Sequence, residues 1–310
     1  MASQRPQWPD ILDPAFRKIY GDEIRQLPQQ VFTIFNVDTS VKNIEKDSSA
    51  TGLSRLVQTS ESQPISYEDE VEGFNVIYTH LKFAKGTSVS QELWEDDQFG
   101  VMRRKPQNLA NAKIRTIEQF GADILNNGFT AGGGGTAPFT GPDSLALFSS
   151  AHTREDGGAT QTNYNTADLS EDSIENALVT MRATVDGKGQ LMLVNPKILL
   201  VPPALEKEAR ILMDSMQRTG TTNNDINPYK GRLEVQVWDY LGSVAGGSDT
   251  TWFLVDKAVH ELNWFNRSDL GLQGPDWDFD TTTARWKVVC RWSAGWSNWR
   301  GLFGSKGDNS

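Results

Sequence analysis

Two hydrophobic periods run along this chain, and the change from one to the other marks its elements. In residues 285–292, RWKVVCRW, the residues Trp286, Val288, Cys290 and Trp292 fall on one side while Arg285, Lys287 and Arg291 fall on the other. A period of two defines a strand, here with one core face and one basic face. The stretch VFTIFNV, 31–37, alternates in the same way and predicts a strand, and FNVIYTHLKF, 74–83, predicts another. Ser90 opens a segment with helical spacing that runs to Asn127. Acids in its early turns suit the positive end of a helix dipole, and Pro106 is expected to kink or divide it. Beyond the proline, Ala110, Ile114, Ile117, Gly121 and Ile124 form one apolar stripe, and Asn127 with Gly128 provides a stop.

Further along, Ser170 is placed to cap a helix whose Ile174, Leu178, Met181 and Val185 share a face. GQLMLVNPKILLVPP reads as one or two buried strands. Leu205, Ala209, Leu212, Met213 and Met216 then stripe another helix, followed by the strands LEVQVWDY and TWFLVD. This alternation from about 170 to 256 describes an α/β lobe inserted between elements that belong elsewhere. Between the patterned segments lie long polar ones. Pro6, Pro9, Pro14 and Pro28 predict an extended arm at the start. Residues 46–72 form a polar excursion that ends in YEDEVE, and AGGGGT, 131–136, is a flexible break.

Composition agrees with a folded protein that carries large excursions. The 310 residues are 37% hydrophobic and 23% charged, with 27 glycines, and the mean hydropathy is −0.48. A length of this order allows two subdomains. The net charge of −10 argues against a surface that grips nucleic acid throughout, because neutralising phosphates takes clustered Lys and Arg. Cys290 is the lone cysteine, so an intrachain disulfide is excluded and a reducing compartment is expected. The start has no signal-peptide character and no run is apolar enough to span a membrane, so a soluble protein is expected.

Candidate chemistry is sparse. His80, His152 and His260 stand in no ligand-spaced motif, so neither a metal nor another cofactor is expected. Ser150, His152 and Asp156 lie too close in sequence for a typical triad and read as a polar loop. Glu95, Asp96 and Asp97 could serve a carbohydrate hydrolase, with tryptophans as sugar platforms. Consecutive helical residues diverge, however, and a solvated first turn is the better reading. The glycine run and DGKGQ, 186–190, lack the rest of a phosphate loop. Trp296 and Trp299, near the end of the chain, are candidates for contact with a neighbouring subunit, since tryptophan is enriched where subunits meet.

Five stretches carry a more specific signal: THLKFAKGTSVSQELWEDDQFG, ALFSSAHTREDGG, ILLVPPALEKEARILMDS, NDINPYKGRLEVQVWDYL and WKVVCRWSAGWSNWRGLFGSKG. Together, in order from about Phe74 onward, they resemble the major capsid proteins of tailed bacteriophages, in the branch typified by the Mu-like major head subunit. The resemblance implies an α+β subunit of the Hong Kong 97 type. Its parts would be an N-terminal arm with a first strand (1–45), an extended loop (46–88), a peripheral domain with a spine helix (89–185), an axial domain (186–256) and a C-terminal return to the peripheral domain (257–310). It further implies assembly without catalysis. Pentamers and hexamers would build an icosahedral shell around double-stranded DNA, assembled in the bacterial cytoplasm as a precursor that expands on packaging. The implied partners are a separate scaffolding protein, a maturation protease, a portal and, in some relatives, a decoration protein. The chain's own charges add one expectation, that Glu68, Asp69, Glu70 and Glu72 of the loop meet Arg103, Arg104 and Lys105 of a neighbour. A tail or baseplate protein, forming rings or tubes, is the alternative within the same class of virus.

Overall fold

The computed structural model describes residues 9–27, 29–70, 72–90, 92–93, 96, 100–130, 141–218, 225–278 and 280–307. Its helices are α1 (Pro9–Gln26), α2 (Val31–Ile34), α3 (Val101–Asn126), α4 (Glu171–Arg182) and α5 (Glu206–Asp214). Its strands are β1 (Asn36–Thr39), β2 (Ile44–Ala50), β3 (Glu72–Thr79), β4 (Leu81–Ser90), β5 (Tyr164–Asn165), β6 (Ile198–Val201), β7 (Glu234–Val237), β8 (Trp252–Val255), β9 (Glu261–Asp278), β10 (Thr283–Asn298) and β11 (Leu302–Ser305). They form a four-stranded sheet in the order β1-β9-β10-β4, a five-stranded sheet β5-β11-β8-β6-β7 and the separate pair β2-β3.

The basic-and-apolar strand lies inside β10, with Trp286, Val288, Cys290 and Trp292 buried and Arg285 and Lys287 exposed. β10 pairs antiparallel with β9 on one side and β4 on the other, so the long hairpin is the backbone of the first sheet. Its apolar face packs with α3, whose Ala110, Ile114, Ile117, Gly121 and Ile124 are all buried. Gly128 N–H closes on the Leu125 carbonyl just beyond the helix.

The five-stranded sheet is buried on both faces. Ile198, Leu200, Phe253 and Val255 join the core built around α3 and the long hairpin. Leu199, Val201, Trp252 and Leu254 join a second core with Ile174, Leu178 and Met181 of α4 and Ala209 and Met213 of α5. Two-sided burial is why ILLV and WFLV are continuous apolar runs with no alternation. The Ser170 cap forms with a reciprocal bond to Ser173, as a capping box.

Several expectations are corrected. The proline-rich start contains a helix: Phe16 and Tyr20 are buried and Ile24 is partly buried against the core. Their i, i+4, i+8 spacing outweighs Pro14, which forfeits a single backbone bond inside α1. Val31–Ile34 is one helical turn, and the strand begins only at Asn36. Residues 74–83 divide at His80 into β3 and β4, and β4 continues to Ser90. The long helix therefore starts at Val101, after Gly100 in the left-handed region (φ 66°), and passes through buried Pro106 without dividing. In the segment 190–201 only Ile198–Val201 is a strand, while Leu191 and Leu193 are exposed. Met216 of the α5 stripe is exposed as well. The end of the chain does not stay with the first sheet, since β11 pairs with β8 and β5 in the five-stranded one.

Trp296 and Trp299 are also corrected. Both rings are buried in their own subunit, at 2% and 5% exposure. Trp299 stacks on His152 at 4.2 Å between ring centres. Core packing satisfies these rings, so neither is free to anchor a neighbour.

Candidate assembly surfaces

The β2-β3 pair stands against the long hairpin through buried polar groups. Ser297 Oγ lies 2.7 Å from Tyr78 Oη, donates to Asp47 and accepts from Asn263 Nδ2 at 3.4 Å. The His80 ring bridges Ser40 Oγ at 3.1 Å and Ser293 Oγ at 3.0 Å, and Ser40 Oγ donates to Glu45 at 2.7 Å. Burial first, and the Arg291 charge second, lower the His80 pKa and favour the neutral ring in this bridge. Such satisfied networks fix a geometry that apolar contacts alone leave loose.

Beyond that base, residues 51–70 carry no regular secondary structure and expose Leu53, Leu56, Val57, Ile65 and Tyr67. The root of the loop is tied down. Lys188 Nζ reaches Glu68 at 2.7 Å and the Asp69 carbonyl at 3.3 Å, while Ser54 N–H donates to Glu68 at 2.9 Å. The bonds from Lys188 and Ser54 pull the Glu68 carboxyl down to about 2. Five exposed apolar side chains on a segment clamped at its root make a surface that water covers poorly.

The predicted charge partners are not brought together within the subunit. Glu68 is bound to Lys188, and Glu72 accepts from Asn75 Nδ2 at 3.1 Å. Asp69 and Glu70 remain exposed. Arg103 and Arg104 are exposed at the start of α3, where the first turn holds no acid, and Lys105 Nζ turns to the Ser88 carbonyl.

The Ser150, His152 and Asp156 combination does not assemble. His152 is fully buried between Asp143, at 2.6 Å, and Asn163, at 3.2 Å. Asp156 pairs with Arg154, so the Ser150, His152 and Asp156 set forms no relay. Glu95 and Asp97 lie outside the described residues. Among the described residues no three potential metal ligands are grouped, and no helix is long and apolar enough to cross a membrane.

Sequence reasoning missed the Asp47–Ser297–Tyr78 and Asp143–His152–Trp299 groups, and also Glu118, which accepts from Trp238 Nε1 at 2.7 Å. Glu118 and Trp238 are 120 positions apart and Asp47 and Ser297 250 apart. No local period reports on partners so distant.

This arrangement of helix, long hairpin and second sheet is similar to solved capsid chains. The capsid of an empty GTA particle matches with a TM-score of 0.56 at 13% identity, over 90% of each chain. A chain from Gordonia phage Cozz matches at 0.55 and 13%, over 91% of this chain and 87% of that one. The procapsid of bacteriophage JBD30 matches at 0.51 and 14%, over 99% and 77%. At such identities the likeness establishes a mixed α+β capsid fold. The phage capsid protein family model matches residues 74–304, and the chain belongs to that family: it is a capsid shell protein. No curated protein matches it.

Proposed function

We propose that this subunit is the major head protein of a tailed bacteriophage, of the Hong Kong 97 type and similar to the Mu-like branch. It assembles as pentamers and hexamers into an icosahedral shell around double-stranded DNA, first as a precursor that then expands. The observation that carries this reading is the loop 51–70 with its exposed Leu53, Leu56, Val57, Ile65 and Tyr67. Ten residues out and ten back span about 30 Å at strand rise, enough to cross onto a neighbour. Each large apolar side chain fully buried there contributes about 1.5–3 kcal/mol, and an interface repeated around a shell multiplies that term. The α1 segment serves as the arm, the sheet of β9 and β10 with α3 as the peripheral domain, and the five-stranded sheet with α5 as the axial domain; α4, expected in the peripheral domain, is reassigned to the axial one because it packs on the same core as α5. Scaffold, protease and portal act from separate chains in the bacterial cytoplasm. The subunit itself makes and breaks no bond.

The test is to replace residues 54–67 by a short turn. We expect a subunit with unchanged circular dichroism and melting that forms no closed shells in negative-stain electron microscopy; shells of normal size and yield would refute the role of the loop. The charge pairing with a neighbour now rests on Asp69 and Glu70 against Arg103 and Arg104. R103E/R104E is expected to lower shell yield and salt resistance. Exposed pairs contribute only ~0–1 kcal/mol each, so the effect grows with their repetition, and an unchanged yield across salt concentrations removes the pairing.

A further inference from the structure

A cleft of about 890 Å³ opens where β4, the long hairpin and the start of α3 meet. Gly86 and Ser88, Lys105, Gly274, and Trp286 and Lys287 line it, with Arg285 and Asp276 beside them. Its lining carries more cations than acids, with Lys105, Arg285 and Lys287 against Asp276. Arg285 and Lys287 are two positions apart on β10, project to the same side and are exposed. Arg103, Arg104 and Lys105 follow on the first turns of a 26-residue helix with no acid in its first turn. Cations there oppose the positive end of the helix dipole and cost stability unless an anion offsets them. Lys287 makes no ion pair among the described residues, and Arg285 is paired with Asp278. Trp286 also lines the cleft, while its ring is buried on the core side of β10 against Phe16, 4.6 Å between ring centres.

We propose that this cleft is a docking site for an acidic polypeptide segment of a partner protein, its carboxylates received by Lys105, Lys287 and Arg285. Nucleic acid fits less well, because Asp276 and Asp278 interrupt the basic wall. A regular phosphate backbone cannot place its charges around them, whereas a peptide can space its carboxylates to suit. A second copy of this chain is the weaker match as well, since Glu68 and Glu72 of its acidic stretch are engaged within their own subunit.

The site is complete in one subunit, so binding is read on unassembled subunits and does not depend on shell formation. Three fluorescein-labelled probes are titrated by anisotropy at low salt: an oligoglutamate octapeptide, a peptide of residues 65–72 of this chain, and an eight-nucleotide oligothymidylate. The octapeptide is expected to bind most tightly, to weaken at least tenfold in R285E/K287E, and to be unaffected by K82E, which changes an exposed lysine of β4 that does not line the cleft. Arg285 and Lys287 are exposed, and an unchanged melting curve shows that the reversed variant folds. Absence of octapeptide binding, or equal binding to R285E/K287E, overturns the site. Tighter binding of the 65–72 peptide reassigns the occupant to a second copy, and tighter binding of the oligonucleotide reassigns it to nucleic acid; either overturns the partner proposed.

Discussion

Gly121 lies where α3 packs against Val31 of α2. A Cβ there would stand 2.2 Å from Cγ2 of Val31 and 3.4 Å from Cη2 of Trp238. Val31 is fully buried and β-branched, so its methyl has nowhere to turn. Three residues earlier on the same helix, the buried Glu118 carboxylate accepts from Trp238 and from the Val31 N–H. Burial raises its pKa, against the pull of those donors. One helical face thereby fastens α2 and the turn after β7 together. G121A is expected to lower subunit stability by about 1–3 kcal/mol through overpacking, although alanine is the better helix former. A melting temperature at or above that of the parent would show that α2 can move aside. The periodic stripe placed Gly121 on the buried side from sequence alone. Why that position needs a glycine was hidden, because Val31 and Trp238 come from other elements.

At the scale of elements, the patterns that were legible are those whose burial is one-sided or complete along the chain: β10, the stripe of α3, the capped α4, and the runs of β6 and β8. Those misread are short or decided by tertiary contact. VFTIFNV alternates, yet Val31 and Ile34 sit three apart and both face the core from a single helical turn. Counting prolines hid α1, where Phe16 and Tyr20 decide the matter. The loop was readable as an excursion, but its root was not, since Glu68 meets a lysine 120 positions away. That root makes a prediction. K188A is expected to release residues 51–70 and to speed tryptic cleavage after Arg55 several-fold, while the melting temperature hardly changes, because a partly exposed ion pair contributes only ~0–1 kcal/mol. Cleavage at the parental rate would mean that the backbone alone holds the loop. The Glu68 carboxyl, held near 2, keeps the clamp charged from neutral pH through its ordinary range near 4.5, and the clamp is lost only as pH falls through about 2.

For the whole molecule, the decisive feature is that two cores share one sheet, and the chain passes between them around His260. This imidazole is buried to 2% exposure, and its Nδ1 accepts from the Leu262 N–H at 3.1 Å. Burial, aided by the Lys257 charge, lowers its pKa from 6.5 to about 4, over the opposing influence of the Ile34 backbone and Asp256. Between those two values the unfolded chain binds a proton that the folded subunit refuses. The contribution of His260 is therefore fully present above pH 6.5 and is lost as pH falls from 6.5 towards 4, by an amount on the order of 3 kcal/mol. H260Q keeps a polar side chain there and cannot titrate. Urea unfolding of the unassembled subunit at intervals from pH 7 to pH 4 should show the parent losing stability faster than H260Q, with the two curves separating below pH 6.5. Parallel curves would show that the ring charges in place, and the passage between the two cores would then be open enough to water to solvate an imidazolium.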